Sequence, residues 1–297
     1  MPLVTQHPMR EQRVAYWMIT PAAMLLVLLV AYPFLASLYM SLTNRTIGNP
    51  GRFVGLWNFL DLLSDDIFRQ TLWNSILYTV VAVAVKTAGG LMLALLLFRV
   101  PYGTRFLRSA VLLPWVVPIS LSALTWWWMF DPQYSVANWV LRWSGLSLRG
   151  VPWLSDPFWA RLGIIVTNVW RGLPFFAICL LAGLVAIPRE LYEAAQTDGA
   201  GGATQFWYVT LPLLRPILGI VVLYSTVMTI SDFEIVYLLT RGGPRNSTHL
   251  FSTLAYQVGL VGSRIGQGAA ISLFIFPVLA MAAVFLLRLV RSGEEAG

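Results

Sequence analysis

The chain of 297 residues contains one cysteine, two histidines and one lysine, and each of these scarcities excludes a class of site. Cys179 by itself can form neither an intrachain disulfide nor a cysteine-based metal site. His7 and His249 lie far apart in the sequence, and no His-Glu-x-x-His motif occurs, so a zinc enzyme would lack its ligands. We therefore predict no metal site.

Motifs for catalysis are absent as well. An ATPase needs a glycine-rich loop that ends in Gly-Lys-Ser or Gly-Lys-Thr, because the lysine reaches the terminal phosphates. Lys86 is followed by Thr87 but preceded by Val85, and it lies inside an apolar run. No Gly-x-Ser-x-Gly nucleophile elbow occurs. The sequence predicts no catalytic residue and no cofactor in this chain, and hence no enzyme.

Charge is also scarce, since charged residues make up 11% of the chain, hydrophobic residues make up 58%, and the mean hydropathy is +0.71. Typical soluble domains carry about 25% charged residues. The net charge of +7 would suggest a nucleic acid partner in a soluble protein. Here the arginines lie mainly in loops at the ends of apolar runs, where anionic lipid headgroups attract them. The composition predicts a polytopic membrane protein that contacts lipid and binds no nucleic acid.

Six apolar runs are long enough to cross a bilayer, which takes about 20 helical residues. Each is apolar all around the helix rather than alternating as a barrel strand would, so the predicted fold is all-α. The first run is about twice as long as the core of a signal peptide and is predicted to be a retained anchor. The predicted domains are a tail (1–15), one transmembrane domain (16–290) and a second tail (291–297). The predicted spans are 16–40, 76–98, 109–130, 162–187, 217–239 and 269–289.

An even number of spans places both termini on one side of the membrane. Arginines are equally numerous on the two sides, but Arg99, Arg105 and Arg108 crowd into one short connection close to span ends, which favours cytoplasmic termini. The outer loops are then long and rich in tryptophan, as is typical of interfacial anchors. These tryptophans are Trp57, Trp73, Trp126, Trp127, Trp128, Trp139, Trp143, Trp153 and Trp159.

A polar segment, residues 188–212, separates the fourth and fifth runs, and we name it the coupling loop. Pro188 at a helix start, with Glu190 and Glu193 in the early turns, predicts a short amphipathic helix with acids near its positive end. Gly199 can adopt a left-handed backbone that other residues enter only at a steric cost, so we expect a turn there, followed by a second short helix before Pro212. Such a helix-turn-helix can transmit a partner's movement to the attached spans.

The coupling loop resembles the Glu-Ala-Ala loop of ABC importer permeases of type I. The resemblance rests on Glu193-Ala194-Ala195, on Asp198-Gly199-Ala200 and on the close at Val209-Thr210-Leu211-Pro212. It extends over about residues 15 to 290 and is nearest to sugar permeases of the maltose, trehalose and glycerol-phosphate type. The further segments that carry it are 53–59, 105–108 with 113–114, 170–176 and 238–244.

The resemblance implies a location in the cytoplasmic (inner) membrane of a bacterium or archaeon. It implies as partners a second, non-identical permease, two ATPase subunits that bind ATP and Mg²⁺, and an extracytoplasmic sugar-binding lipoprotein. It also implies which residues contact the ATPase. These are Leu191, Tyr192, Glu193, Ala194, Ala195, Asp198 and Gly199.

Ionisable groups inside the runs are candidates for a substrate path, because a charge in a span is costly unless it is paired or hydrated. Asp232 and Glu234 are expected about 200° apart on a fifth helix, one facing a water-filled cavity and the other pairing with an arginine such as Arg171. Lys86 is expected to pair with a neighbouring subunit or to extend towards the interface, with contact to a phosphate or carboxylate substrate as the alternative. The substrate-path candidates are Asn168, Trp170, Arg171, Thr229, Ser231, Asp232, Phe233, Glu234 and Tyr237.

Three functions remain open at this point. The favoured one is a carbohydrate permease for a disaccharide such as trehalose or maltose, with a glycerol-phosphate or other polyol permease as the alternative. An ion-coupled secondary transporter would use Asp232, Glu234 or Lys86, but such proteins ordinarily show inverted repeats and broken spans at matching positions. A membrane-embedded enzyme would need a catalytic constellation beside those charges, and the sequence has none.

Overall fold

The computed structural model describes residues 8–100, 103–131, 133–146 and 150–294. Helices form nearly all of this part of the chain, and its only β-type pairings are the isolated bridges Thr43–Phe53 and Thr46–Asn49. The predicted all-α fold is confirmed. The predicted tails, 1–15 and 291–297, lie partly outside the described residues.

The helices follow the chain as α1 to α15, with three π-helical turns continuing α1, α10 and α13. Asp65 and Asp156 begin two of the long helices, because each carboxylate accepts hydrogen bonds from two backbone N–H groups of the first turn. The bounds are α1 Pro8–Leu26, α2 Tyr32–Ser41, α3 Trp57–Ser64, α4 Asp66–Arg99, α5 Thr104–Val116, α6 Ile119–Met129, α7 Val136–Trp143, α8 Pro157–Ala186, α9 Arg189–Thr197, α10 Gly202–Gln205, α11 Leu211–Ile230, α12 Glu234–Leu239, α13 Phe251–Tyr256, α14 Ile265–Leu273 and α15 Ile275–Glu294.

Among the described residues, five helical stretches are long and apolar enough to cross a membrane, and a bent pair of helices makes a sixth if it is one span. The bent pair, α5 and α6, corresponds to the predicted third span, which is therefore not one straight helix but turns by 86°. The cause is Pro118, which forces Val117 out of the helical region into an extended conformation. The five single stretches are Tyr16–Ser41, Asp66–Arg99, Pro157–Ala186, Gly202–Ile230 and Ile265–Val284.

The predicted fifth span, 217–239, is also broken. Helix α11 ends at Ile230, and α12 begins only at Glu234, so Asp232 lies in the break rather than on a helix. The expectation that Asp232 and Glu234 point about 200° apart on one helix is therefore wrong. The local sequence did not predict this break, because residues 231–239 are apolar apart from Ser231 and the two carboxylates and contain no proline or glycine.

Close approach of α4 and α8 forms the centre of the molecule. An added Cβ at Gly90 would collide with the Cβ of Phe176 and would lie 3.3 Å from the backbone nitrogen of Ala177. Gly172 faces Lys86 in the same way, with the Lys86 Cδ at 2.6 Å from an added Cβ. Small residues let helix backbones approach in a bilayer, where dispersion rather than the hydrophobic effect drives association. Helix α11 then packs against both α4 and α8.

We expect Gly90→Ala to destabilise this contact, while the neighbouring Gly89→Ala does not. At Gly90 the obstacle is the Phe176 Cβ beside the α8 backbone, which cannot move by itself; at Gly89 it is a terminal methyl of Leu173, which can rotate away. Helix propensity favours alanine by about 1 kcal/mol at both sites, so the difference isolates the packing effect. The measurement is the thermal unfolding midpoint in lipid nanodiscs. Equal midpoints for the two variants would contradict the packing argument.

Candidate functional site

A cavity of about 690 Å³ lies where α4, α5, α6, α8, α11 and α12 meet. Most of the predicted substrate-path residues line it, although they come from two separate parts of the chain. Lys86 lines it as well. The predicted residues in its wall are Asn168, Arg171, Thr229, Ser231, Asp232, Phe233 and Glu234.

The polar side of the cavity is a continuous hydrogen-bond network. Lys86 Nζ donates to Asn168 Oδ1 at 2.9 Å and to Thr229 Oγ1 at 2.8 Å. Asn168 Nδ2 in turn donates to Asp232 Oδ2 at 3.0 Å, and the Tyr78 hydroxyl donates to the same oxygen at 2.6 Å. The amide of Asn168 thus joins a cation to an anion. We call this set of hydrogen-bonded side chains the Lys86–Asp232 network; it consists of Lys86, Asn168, Thr229, Asp232 and Tyr78.

Lys86 is 3% exposed and its hydrogen bonds stay within this chain. The expectation that it extends to the interface or pairs with a neighbouring subunit is therefore wrong. Its position follows from the α4–α8 approach, because the absence of a side chain at Gly172 leaves room for the lysine stem. The nearby Asp232 charge and the two accepting oxygens offset the cost of burying the ammonium group.

The break between α11 and α12 positions Asp232. Its backbone N–H donates to Thr229 O at 3.2 Å, and its carbonyl oxygen accepts from Ser252 Oγ at 2.6 Å. Its Oδ1 accepts from the N–H of Ile235, in the first turn of α12, at 3.3 Å. The carboxylate therefore satisfies an otherwise unpaired helix N-terminal donor on one side and the Lys86–Asp232 network on the other.

Arg171 and Glu234 also face the cavity but form no ion pair. The one ion pair among the described residues, Arg69–Asp66, lies elsewhere, so the expected pairing of Arg171 with a carboxylate is not made. Glu234 accepts instead from Ser120 Oγ at 3.2 Å, and the Nε of Arg171 is buried with no hydrogen-bond partner. A buried donor without a partner is destabilising, and a bound hydroxyl or carbonyl oxygen can satisfy it.

Two predicted residues, Trp170 and Tyr237, lie outside the cavity wall. Trp170 packs edge-on against Trp126, with ring centroids 5.7 Å apart. Tyr237 stacks on Phe233 at 5.0 Å and contacts Tyr256 at 5.3 Å. Both belong to aromatic packing behind the wall.

Sequence reasoning missed Tyr78 and an aromatic side of the cavity. Trp115, Phe175 and Tyr224 line the cavity together. Trp115 and Phe175 stack with centroids 5.9 Å apart, and Phe175 contacts Tyr224 at 5.1 Å, so part of the cavity wall is aromatic. A signal for Tyr78 does exist. The buried residues of α4 recur every three or four positions from Thr71 through Tyr78 to Lys86, which marks one polar face of that span.

The coupling loop forms the predicted first helix and turn, but the second helix is not a separate short one, because α10 continues through a π-helical turn into α11 as one stretch, Gly202–Ile230. Helix α9 covers Arg189–Thr197, and Gly199 has a φ of +80°, as expected for the turn. The N–H of Gly199 donates to Gln196 O at 3.0 Å and that of Ala200 to Ala195 O at 2.8 Å, the pair of bonds that defines a Schellman end. The exposed residues of α9 and its turn include Leu191, Glu193, Ala194, Asp198 and Gly199.

Two side-chain bonds hold the coupling loop in shape. The hydroxyls of Tyr192 and Thr210 lie 3.0 Å apart, which joins α9 to the start of α11. Gln205 Nε2 donates to Ala200 O at 2.9 Å, which joins α10 to the turn. These bonds therefore link α9 and the turn to the helical stretch that begins with α10 and continues as α11.

Removing the Tyr192 hydroxyl tests this linkage. We expect Tyr192→Phe and Thr210→Val to weaken the attachment of α9 by about 1 kcal/mol each, and to add nothing further in combination, because both remove the same bond. Tyr208→Phe is the control, since Tyr208 is 79% exposed. Proteolysis of the loop in nanodiscs measures the attachment. Fully additive effects in the double variant would show that the bond does not act as a unit.

A helical membrane bundle around a polar cavity, with a short helix and a tight turn between two of its spans, has the architecture of a transport permease. The chain belongs to the family described as binding-protein-dependent transport system inner membrane component, whose sequence profile matches residues 86–291. This membership confirms the resemblance to permeases of ABC importers. The protein is accordingly a multi-pass protein of the inner membrane.

Relatives similar along nearly their whole length support the same assignment. The chain is 35% identical to the sulfoquinovosyl glycerol transport system permease protein SmoG of Agrobacterium fabrum, covering 96% of this chain and 92% of that protein. It is 36% identical to the trehalose/maltose transport system permease protein MalF of Thermococcus litoralis, covering 96% of each. The fold is similar to a chain of a bacterial ABC transporter involved in import of the acidic polysaccharide alginate, with a TM-score of 0.81, 24% identity and coverage of 95% and 96%.

Proposed function

We propose that this protein is the carbohydrate-translocating permease subunit of an ABC importer, driven by a separate ATPase that binds the coupling loop. The observation that carries the proposal is the cavity, whose lining combines a polar hydrogen-bond network with aromatic rings. Sugars present hydroxyl groups around their edge and C–H groups on their faces, so such a cavity can bind both. Its volume lies within the roughly 300–1,000 Å³ usual for small-molecule sites.

A neutral disaccharide, such as trehalose or maltose, suits the charges of the cavity better than glycerol phosphate does. Lys86 and Arg171 contribute two positive charges, and Asp232 and Glu234 contribute two negative ones. A phosphate would face both carboxylates as well as the cations, whereas phosphate sites usually cluster cations and backbone donors. The relatives named for trehalose/maltose transport support the same choice, and a polyol permease is the alternative.

The assembly we propose contains a second, non-identical permease, two ATPase subunits and an extracytoplasmic sugar-binding lipoprotein. The ATPase subunits bind ATP and Mg²⁺, and both termini of this chain lie in the cytoplasm. The exposed acidic helix α9 supports an ATPase contact, and the shared fold with an alginate importer crystallised with its periplasmic protein supports the binding protein. The exposed aromatic residues of the opposite loops suit the outer side of the membrane.

The test is uptake by the complete complex reconstituted in vesicles. We expect uptake of a disaccharide to require ATP inside the vesicles and the binding protein outside, and to be unaffected when ion gradients are dissipated. Ligand screening of the binding protein identifies the sugar. Uptake that continues without ATP and stops with an ionophore would assign the protein to the ion-coupled secondary transporters and overturn the proposal.

A further inference from the structure

Helix α7, Val136–Trp143, turns an apolar stripe away from the rest of the molecule. Trp139 and Trp143 are 59% and 78% exposed, and their rings stack with centroids 6.3 Å apart and planes within 10°. Val140, on the same side, is 47% exposed. The opposite side of the helix carries Asn138, which is buried. An amphipathic helix whose apolar side faces outwards has its partner outside this chain.

Hydrogen bonds fix α7 at the ends of two membrane-spanning helices. Ser135 Oγ donates to Met129 O, the last residue of α6, at 2.8 Å, and accepts from the N–H of Asn138 at 2.9 Å. Asn138 exchanges two bonds with the backbone of Val151, at 2.8 and 3.0 Å, just before α8 begins. Asn138 Oδ1 also accepts from Trp153 Nε1 at 3.0 Å. The helix therefore lies beside the end of α6 and the start of α8, two helices of the candidate membrane spans.

The surface beside α7 is already of the kind that contacts lipid. Trp127 and Trp128 near the end of α6 and Phe158 at the start of α8 are 48%, 54% and 62% exposed. The stripe of α7 adds exposed aromatic side chains at the same ends of α6 and α8. Arg142 is the sole charged residue of α7 and lies about 100° around the helix from Trp143, so it belongs to the polar, hydrated side of an interfacial helix.

We propose that α7 is an in-plane membrane anchor that inserts Trp139 and Trp143 into the headgroup region of the adjacent leaflet. Indole rings favour this region because the ring is apolar and its N–H remains hydrated. The inference rests on membership of a membrane-protein family and not on the identity of the substrate.

The anchor has a consequence for the cavity. Helix α6 packs against α12, and Phe130 shares a core cluster with Ile235 and Val236. Glu234 and Ile235 line the cavity. An α7 held by lipid therefore restrains the outer half of the bent third span and, through it, one wall of the cavity.

Depth-dependent quenching in the assembled transporter tests the anchor. Cys179→Ser removes the single cysteine, and a fluorophore is then attached at Trp143→Cys in nanodiscs. We expect stronger quenching by lipids spin-labelled at the headgroup or upper acyl chain than by aqueous iodide. Arg142→Cys, about 100° around the helix, is the matched control and should be quenched more by iodide. Met24→Cys in the first span marks the deep, lipid-facing limit.

Two results would overturn the proposal. Quenching at Trp143→Cys by iodide alone would show that the stripe faces water. Protection from both lipid and aqueous quenchers would show that a protein, either the second permease or the binding protein, covers it. Because uptake is measured separately, by the complete complex reconstituted in vesicles, failure of the anchor leaves the proposed transport function standing.

Discussion

Replacing Asp232 with alanine is expected to remove most of the transport activity and to lower the stability of the break between α11 and α12. The change leaves the hydroxyl of Tyr78 and the amide of Asn168 without their acceptor, and it leaves the buried Lys86 without the nearby anion. Each stranded buried donor costs about 1–3 kcal/mol, and a stranded charge costs more. The summed cost is therefore large enough to disorder the break between α11 and α12.

Two further variants distinguish the effect of charge balance from the effect of lost sugar contact. Asp232→Asn keeps the shape and one acceptor oxygen, so the complex should assemble while the affinity or selectivity of uptake changes. Lys86→Met combined with Asp232→Asn should recover stability relative to Asp232→Asn, because neither charge is then stranded. Expression, complex assembly and uptake kinetics are the measurements. Unchanged kinetics for both Asp232→Asn and Asp232→Ala would remove Asp232 from the substrate path.

Gly199→Val is expected to uncouple ATP hydrolysis from transport. At a φ of +80°, a β-branched side chain is strained by about 1–2 kcal/mol, and the strain falls on the two backbone bonds that end α9. Apart from the two chain neighbours of Gly199, no atom of the described residues lies within 4 Å of an added Cβ, so the strain is conformational and does not come from packing within the subunit. Membrane insertion should be unaffected, because Gly199 lies outside the spans.

Gly201→Val provides the matched control. Gly201 also has no atom within 4 Å of an added Cβ, but its φ of −72° and ψ of 169° are extended and suit valine. Glu193→Ala should reduce coupling less than Gly199→Val, since one contact at the rim of an interface contributes about 1–2 kcal/mol. The measurements are ATPase retention on purification, substrate-stimulated hydrolysis and vesicle uptake. Wild-type values for Gly199→Val in all three would exclude the coupling loop as the coupling element.

The coupling loop was predictable because its determinants are local. Pro188, the early glutamates and Gly199 act on their own backbone within a few residues, and α9 and its left-handed turn form where those residues predict them. The fold class was predictable for a similar reason. A long apolar run must satisfy its backbone hydrogen bonds internally in lipid, so composition alone leaves the helix as the solution.

The break at Ser231–Phe233 was not predictable from local sequence. Those residues could continue α11, and the break forms because Asp232 gains Tyr78 and Asn168 from two other helices and Ser252 from helix α13. The true environment of Lys86 depends in the same way on Gly172, which is 86 positions away in the chain and permits the close approach of α8.

The sequence by itself determined that this is an all-helical membrane protein. It also determined where most of the spans lie, and that a short helix and a left-handed turn connect two of them. Length, apolarity and turn chemistry are properties of contiguous residues. Only the tertiary structure decided that Lys86, Asn168 and Asp232 form one network, that Trp170 and Tyr237 pack behind the cavity, and that the third and fifth spans are broken. These features arise from contacts between residues distant in sequence, whose energies appear only when the helices are packed together.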